Sequence, residues 1–404
     1  MSKVRDWLKA LGPGLITGGA GDDPSGIVTY SVVGATTGFS LLWLMLLSTP
    51  MMIAVQSIAS RISIITEKSL PEIITSRFSR RTTIIVISAL VIVNVITIGA
   101  DLSGMATVLG ILTGTRPGLL LIPVTVLIAY LVIFNTYRVV KTALLGLTLI
   151  LVVYVISALL VRPNLQTLLV NTFVPHFSFS SGYVLAALGL LGTTISPYML
   201  FWQAAEEREE KRSVVQAAEA DFDTMAGMLY SNLVAYFIIV SAALVLYGRR
   251  LPIQTMRDVA LALQPLGGEY TFALFSAGVL VAGFLAIPVL AGSSAYAIAD
   301  TFAWREGMDY KVSDARGFYA VFLGSLLVGD LIYLSPVSTV DALYFSQVLD
   351  GVLLPFLVAL LLILGNDKRI MGQHTNSWLN NVFGVLTLLV SLALSIILFY
   401  RLIF

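Results

Sequence analysis

Two adjacent acids inside an apolar segment are the residues of this sequence with the clearest chemical potential. Positions 21–26 read Gly-Asp-Asp-Pro-Ser-Gly and interrupt an apolar stretch. Carboxylate, hydroxyl and carbonyl oxygens are the ligands that hard cations take in proteins. If the stretch crosses a membrane, its acids mark an ion or proton site, and its non-helical backbone lines a cavity or is buried in protein. Asp22, Asp23 and Ser25 are therefore candidate oxygen donors.

A second interruption lies at positions 192–197, which read Gly-Thr-Thr-Ile-Ser-Pro within another apolar stretch. Thr193, Thr194 and Ser196 add hydroxyl oxygens, and an unwound backbone adds carbonyl oxygens and the partial charges of helix ends. Neither interruption contains His or Met, so the donors suit Mg²⁺, Ca²⁺ or Mn²⁺ better than later transition metals. Small residues such as Gly26 leave room for a partly hydrated ion, and Mg²⁺ usually keeps several waters.

A plainer interpretation stays open for each interruption taken alone. Prolines are common in membrane helices, so Pro24 and Pro197 would then be ordinary kinks and Asp23 would bond a neighbouring hydroxyl. Two interruptions at corresponding places, one of them carrying acids, favour the cation site.

Composition places the chain among membrane proteins with several spans. Of 404 residues, 57% are hydrophobic and 12% are charged, and the mean hydropathy is +0.91, which excludes the ordinary soluble class. The formal net charge of +1 gives no reason to expect a nucleic-acid partner, and the absence of cysteine excludes disulfides and thiolate metal sites. The short charged start, residues 1–9, is not typical of a cleaved signal peptide.

Apolar stretches of about 20 residues predict eleven membrane spans. A cytoplasmic N-terminus places 18 of the 24 Lys and Arg residues inside and the other 6 outside, as expected from the excess of basic residues in cytoplasmic loops. The C-terminus is then external. The spans are expected at about 11–35, 40–62, 82–113, 118–135, 139–161, 182–204, 222–247, 267–300, 314–334, 338–364 and 379–402.

The two interruptions lie five spans apart, which predicts an inverted five-plus-five repeat with the ion site between two discontinuous helices. We therefore expect an all-α, LeuT-like polytopic membrane protein in which spans 1 and 6 are broken. A single membrane domain fills residues 1–404, with repeat one at about 10–162, repeat two at about 181–364 and an extra helix at about 379–402.

At these residues the chain resembles the natural-resistance-associated macrophage protein (NRAMP) family of divalent metal transporters. Residues 41–62 resemble the second helix of that family, and 66–70 the loop after it. Residues 346–348, Ser-Gln-Val, resemble its tenth helix, and 366–381 the loop before its eleventh. The resemblance covers nearly the whole chain, and it implies transport of a divalent cation by alternating access.

Two departures from the family motifs concern the ion site. The first-helix motif Asp-Pro-Gly-Asn reads Asp-Pro-Ser-Gly at 23–26, and the sixth-helix motif Met-Pro-His reads Ser-Pro-Tyr at 196–198. The resemblance implies Asp23 as the charged ligand and the Thr193 carbonyl as a second. It also implies that Ser196 and Gln347 bind directly or through water and that Gly26 opens the cavity. Asp22 either joins them or raises the local negative potential.

Further departures concern the family's proton coupling. Asn94 and Gly104 stand where the family has Glu, whereas Asp101 retains an Asp. Tyr198 and Gln203 replace two His, so most groups that titrate near neutral pH are missing. For Asp101 a packing role and a transport role stay equally open.

The pattern resembles the NRAMP-related magnesium transporters of prokaryotes, which carry Mg²⁺ and often Mn²⁺. We therefore expect a multi-pass protein of a prokaryotic cell membrane that takes up Mg²⁺ and also Mn²⁺ as substrates, with weak or no proton coupling. We expect a monomeric functional unit in the lipid bilayer, without a cofactor. A proton-coupled Mn²⁺/Fe²⁺ symporter is the alternative, followed by a channel. An enzyme is not expected, because no nucleophile with its base, zinc motif or phosphate loop is present.

Three further groups of charged residues have plainer interpretations. Asp330 and Asp350 lie near the ends of apolar stretches and are interpreted as interfacial or structural. The charged run 206–212 is expected to extend the sixth helix as a solvated face. His176 and His374 are expected in solvated loops.

Overall fold

The computed structural model describes residues 13–134, 152–160, 163–210, 216–247 and 253–403, and within these ranges all regular structure is helical. We number the α-helices in chain order. They are α1 Pro13–Ala20, α2 Pro24–Thr37, α3 Leu42–Thr66, α4 Leu70–Arg77, α5 Arg80–Thr113, α6 Pro117–Ile133, α7 Val152–Leu160, α8 Leu165–Phe173, α9 Ser181–Thr194, α10 Pro197–Glu209, α11 Ala217–Ala242, α12 Met256–Ala260, α13 Gln264–Gly267, α14 Thr271–Phe302, α15 Arg316–Asp330, α16 Thr339–Asn366, α17 Lys368–Met371 and α18 Trp378–Ile403.

Eight helical segments of the described chain are long and apolar enough to cross a membrane. A ninth apolar helix, α6, has 17 residues. Most of the expected fifth span, 139–161, lies outside the described residues, and α7 covers only its end. The eight segments are Leu42–Thr66, Arg80–Thr113, Ser181–Glu209, Ala217–Tyr247, Met256–Phe302, Arg316–Leu334, Thr339–Asn366 and Trp378–Ile403.

Each interruption in the sequence falls between two short helices. The first separates α1 from α2, where Asp23 is the N-cap and its Oδ1 accepts a hydrogen bond from the Gly26 N–H. Pro24 follows at the first helical position, where its missing N–H costs nothing. The second separates α9 from α10, and Pro197 again begins the new helix. Prolines inside α3, α14 and α16 leave those helices continuous, so a proline alone does not explain a break.

The interrupted helices lie at the centre of the packing. Helix α2 packs against α9, α11 and α16, and α5 packs against α14, α15 and α16. Close approach depends on glycine where α9 crosses α16, because a Cβ added at Gly192 would lie 2.5 Å from the Gly351 nitrogen. Small residues are typical of such crossings in membrane proteins.

Asp223 of α11 fixes the beginning of α1. Its two carboxylate oxygens accept hydrogen bonds from the Gly14 and Leu15 N–H groups, at 2.9 and 3.2 Å. The first N–H groups of a helix have no partner within the helix, and a carboxylate also complements the positive end of the helix dipole. The short helix that leads into the first break is thus anchored from the second half of the chain.

Candidate functional site

Asp23 is the buried acid at the first break. Its Oδ1 is held by the Gly26 N–H, while its Oδ2 has no hydrogen-bond partner within the described chain. A Cβ added at Gly26 would lie 2.7 Å from the Thr193 hydroxyl and 3.1 Å from Asp23 Oδ1. The absence of a side chain at Gly26 therefore allows the second break to approach the acid of the first break closely.

The second break contributes carbonyl and hydroxyl oxygens. Ser196 Oγ lies 2.9 Å from the Gly192 carbonyl and 3.0 Å from the Thr193 carbonyl, so its proton is used locally and its oxygen can still accept or ligate. The Thr193 hydroxyl has no hydrogen-bond partner in the described chain. Thr194 differs, because its hydroxyl donates to the Leu190 carbonyl of its own helix at 2.8 Å.

Ser25 links the first break to Asp101 of α5. Asp101 Oδ1 accepts hydrogen bonds from the Ser25 N–H at 2.9 Å and from the Ser25 hydroxyl at 2.6 Å. The Ser346 hydroxyl of α16 lies 3.2 Å from the same Ser25 oxygen. Helices α2, α5 and α16 therefore meet at one buried polar point.

Asp350 lies at the same junction, which the sequence analysis missed. It is fully buried, and Asp23 and Asp101 are its charged neighbours. Asp350 was expected to be interfacial or structural, and its burial contradicts the interfacial interpretation, because distance from the end of an apolar stretch says nothing about the direction of a side chain. Asp330 is also buried, and its Oδ1 accepts a 2.9 Å hydrogen bond from Thr125, which fits the structural role expected for it.

Asp22 and Gln347 are the remaining expected ligands. Both are fully buried, and neither the Asp22 oxygens nor the Gln347 amide atoms have a hydrogen-bond partner within the described residues. Ser231 of α11 neighbours Asp22, Tyr198 neighbours Asp23, and Tyr30 lies near both acids. Asp22 is therefore placed toward α11.

The positions where the chain departs from the family's coupling residues carry non-titrating contacts. The Asn94 amide donates to Ser294 at 3.0 Å. The space at Gly104 is bordered by Leu343, whose side chain would lie 3.3 Å from an added Cβ. The Tyr198 hydroxyl donates to the Ala20 carbonyl, the last of α1, at 2.7 Å.

Gln203 belongs to a buried polar network on α10. Its amide donates to Thr224 at 2.6 Å, and its oxygen accepts from Gln56 at 2.8 Å. Glu207 continues the network and accepts from Ser60 at 3.0 Å. Helix α10 does extend through Glu209, as expected, but Glu206 and Glu207 are 0% and 1% exposed. The expectation of a wholly solvated face for 206–212 was wrong, because neighbouring helices cover its first turn; residues 211 and 212 lie outside the described chain.

Met199 is a second residue that the sequence analysis missed. It lies in the first turn of α10, and a Cβ added at Gly21 in the first break would be 3.0 Å from its sulfur. The sequence could have indicated this position, because Met199 follows Ser196 by three residues and therefore lies on the same side of the helix. A thioether thus borders the first break although neither break contains methionine.

The oxygen donors do not form a cage of acidic side chains. Among the described residues no three His, Cys, Asp or Glu side chains converge as a metal site. A cation between the breaks would therefore rely on one carboxylate, carbonyl and hydroxyl oxygens, the Gln347 amide and water. Such a set suits a hard, partly hydrated ion. The four acids are all buried within the described structure, where Asp22, Asp23, Asp101 and Asp350 are at most 1% exposed.

Comparison with known proteins decides the family. Residues 14–401 match the model of the natural resistance-associated macrophage protein-like family, Nramp. The chain belongs to this family. Proteins named divalent metal cation transporter MntH are similar to it: that of Bacillus subtilis is 26% identical, over 96% of this chain and 91% of its own length. That of Chromohalobacter salexigens is 26% identical, over 96% and 90%.

Solved structures share the fold of this Nramp chain. A manganese transporter of Eremococcus coleocola matches with a TM-score of 0.80 at 19% identity, over 98% of this chain and 87% of that chain. A Na⁺-coupled sialic acid symporter matches with a TM-score of 0.52 at 14% identity, over 96% and 93%. The expected all-α, LeuT-like class is confirmed at the level of overall fold, and the eight apolar segments identify an integral membrane protein.

Proposed function

We propose that this Nramp chain carries divalent metal cations into the cell, most readily Mg²⁺ and also Mn²⁺, with weak or no proton coupling. One observation carries the proposal. Asp23 and the Thr193 hydroxyl both border Gly26, and Ser196 donates to the Thr193 carbonyl, which supports a cation that meets oxygen donors where the family motif has a sulfur. Hard donors favour Mg²⁺ and Mn²⁺ over later transition metals.

The relatives support transport as the activity and a metal ion as its substrate, because the similar proteins are named divalent metal cation transporters and a manganese transporter. The ion is cargo, so no cofactor is part of the proposal. The ligands we propose are Asp23, the Thr193 carbonyl, Ser196 and Gln347, while Gly26 keeps the space open and Asp22 adds negative potential.

Alternating access is supported by the way the two halves pack. In the proposed repeat α3 corresponds to α11, α5 to α14 and α6 to α15, and each of these helices packs against its counterpart. This is the arrangement expected of inverted repeats around a central site. We propose eleven spans with broken spans 1 and 6, in one monomeric unit, and the buried acids correspond to an occluded state.

Weak coupling is supported by the chemistry of the substituted positions. The Asn94 and Gln203 amides make hydrogen bonds with Ser294, Thr224 and Gln56 and do not titrate. Because the amides at positions 94 and 203 make these contacts without gaining or losing a proton, transport does not need a proton at either position. Cation entry would then follow its own gradient and the membrane potential, which is worth about 2.3 kcal/mol per charge at 100 mV.

Reconstitution into liposomes tests the proposal. We expect saturable Mg²⁺ entry that Mn²⁺ inhibits, without acidification of the vesicle interior. Asp23→Asn should reduce entry by about two orders of magnitude, since losing a buried charged ligand costs several kcal/mol. Asp330→Asn is the matched control, because it makes the same change at a buried acid bonded to Thr125 and should leave entry unchanged. Mn²⁺ entry with proton flux and without Mg²⁺ competition would contradict the proposal.

A proton-coupled Mn²⁺/Fe²⁺ transporter is the second candidate, and Met199 is the observation that favours it. Its thioether borders Gly21, and soft sulfur ligands favour later transition metals. Met199→Leu keeps the volume and removes the sulfur. If the sulfur binds the ion, the variant loses Mn²⁺ and Fe²⁺ uptake while Mg²⁺ uptake is spared; if Met199 only packs, all three fall together or none does.

A further inference from the structure

Asp350 is a buried acid that lies outside both breaks and is not among the ligands proposed above. It lies on α16 four residues after Ser346, and residues four apart share a helix face. Ser346 on that face contacts Ser25, with 3.2 Å between the two hydroxyl oxygens. Asp350 therefore faces the junction of α2, α5 and α16, where Asp101 is its neighbour.

Three of the four carboxylate oxygens of Asp101 and Asp350 lack a hydrogen-bond donor within the described chain. Thr97 lies beside Asp350, but its hydroxyl donates to the Val93 carbonyl at 3.1 Å. Within the described chain neither Asp350 oxygen has a hydrogen-bond partner, and Asp101 Oδ2 has none either. A buried carboxylate without a partner costs several kcal/mol. Three free oxygens from two helices are therefore available to a ligand that carries positive charge.

The described basic residues do not supply that charge. Within the described chain Arg61, Arg77, Arg208 and Arg369 contact acids that lie outside this junction. None of these contacts in the described chain involves the four buried acids Asp22, Asp23, Asp101 and Asp350. One divalent cation balances two of these four charges. Moreover, no three acids converge on one point in the described chain, so a single ion cannot be shared by all of them.

We propose that Asp101 and Asp350 form a second divalent-cation position beside the Asp23 position, with water completing its coordination; the inference rests on the transport function proposed above. Ser25 separates the two positions, because its N–H and hydroxyl occupy Asp101 Oδ1 and leave Oδ2 for the ion. Two divalent ions balance the four acids. A cation at either position repels one at the other, so occupation of the second position promotes release from the first.

The test is the number of Mn²⁺ ions bound per purified chain, measured by equilibrium dialysis and by electron paramagnetic resonance, where neighbouring Mn²⁺ ions broaden each other's signal. We expect two ions with mutual broadening for the wild type. Asp350→Asn should bind one ion without broadening, and Asp350→Glu, which keeps the charge, should bind two. Asp330→Asn, the matched control at a buried acid outside the junction, should bind two.

The outcomes separate this inference from the proposed function. One ion in the wild type and an unchanged single ion in Asp350→Asn overturn the second position and leave transport through Asp23 intact. No bound ion in a folded wild-type chain that also fails to take up metal overturns the proposed function itself. Asp101→Asn repeats the test from the other helix, and it should also bind one ion; two ions in this variant would overturn the pairing with Asp350.

Discussion

At the scale of single residues, Ser196 separates this chain most clearly from the methionine motif of its family. Its hydroxyl lies within 3.0 Å of the Thr193 carbonyl at the second break. A serine oxygen is a hard donor, and it is small enough to leave room for a water molecule between ligand and ion. A methionine would place a soft sulfur at the same point.

Ser196→Met should therefore shift the selectivity from Mg²⁺ toward Mn²⁺. We expect Mg²⁺ uptake to fall by about tenfold, equivalent to about 1.4 kcal/mol, while Mn²⁺ uptake is retained. Competition of the two ions in proteoliposomes measures the ratio. Ser196→Ala is the control that removes the oxygen without adding sulfur, and it should weaken both ions. An unchanged Mg²⁺ to Mn²⁺ ratio in Ser196→Met would contradict the assignment of Ser196 as a ligand.

Gly26→Ala should close the space between the breaks. The new Cβ would lie 2.7 Å from the Thr193 hydroxyl, which is too close without movement of the second break. We expect at least about tenfold slower Mg²⁺ uptake with a folded protein, measured by flux and by elution from a size-exclusion column. Gly324→Ala is the matched control, because it lies within α15 and no atom is within 4 Å of its added Cβ. Equal loss of flux in both variants would contradict the proposal that Gly26 keeps space open between the two breaks.

At the scale of elements, the sequence predicted the two breaks but not all that surrounds them. An acid or serine followed by proline is a recognisable helix start even inside an apolar stretch, so the boundaries at Pro24 and Pro197 could be expected. The burial of Asp350 and Glu207 could not. A lone acid in an apolar stretch does not reveal which neighbour it faces, and a charged run is solvated only if no other helix covers it.

The inner end of α10 depends on a shared arginine. Arg208 pairs with Asp300 at 3.2 Å and also with Glu306. Burial, and then the neighbouring Asp300 carboxylate, raise the pKa of Glu306 to about 9 from an ordinary value of 4.5. The folded protein therefore binds a proton that the unfolded chain releases. The stability that this proton contributes is fully present below pH 4.5 and is lost as the pH rises through about 9.

Glu306→Gln should flatten this pH dependence. The amide keeps an oxygen acceptor for Arg208 but cannot ionise beside Asp300, so the melting temperature should fall less between pH 5 and pH 9 than in the wild type. Thermal unfolding of the detergent-solubilised protein measures the difference. Asp309→Asn, an exposed acid of the same loop, is the control and should follow the wild-type profile. A steeper or equal fall in Glu306→Gln would contradict the assignment of the proton.

At the scale of the whole molecule, two contacts join loops that the charge pattern places on the same side of the membrane, although neither contact reports which side that is. The Trp43 indole at the start of α3 donates to the His176 carbonyl at 3.2 Å, and both residues are predicted to be external. Arg77, the last residue of α4, pairs with Asp367 after α16 at 2.7 Å, and both are predicted to be cytoplasmic. Hydrogen bonds with Arg369 and then Arg77 lower the pKa of Asp367 to about 2, so its carboxylate is ionised at physiological pH.

The absence of cysteine from the chain makes the orientation directly testable. Single cysteines at Ser178 and Ser335 should react with a membrane-impermeant maleimide added to intact cells, because both positions are predicted to be external. Cysteines at Glu67 and Lys311 should react only after permeabilisation. All four positions are in loops, so a difference in labelling reports the side of the membrane and not burial in a helix. Labelling of Glu67→Cys but not Ser178→Cys in intact cells would reverse the predicted orientation, and with it the direction of opening expected for the proposed ion site.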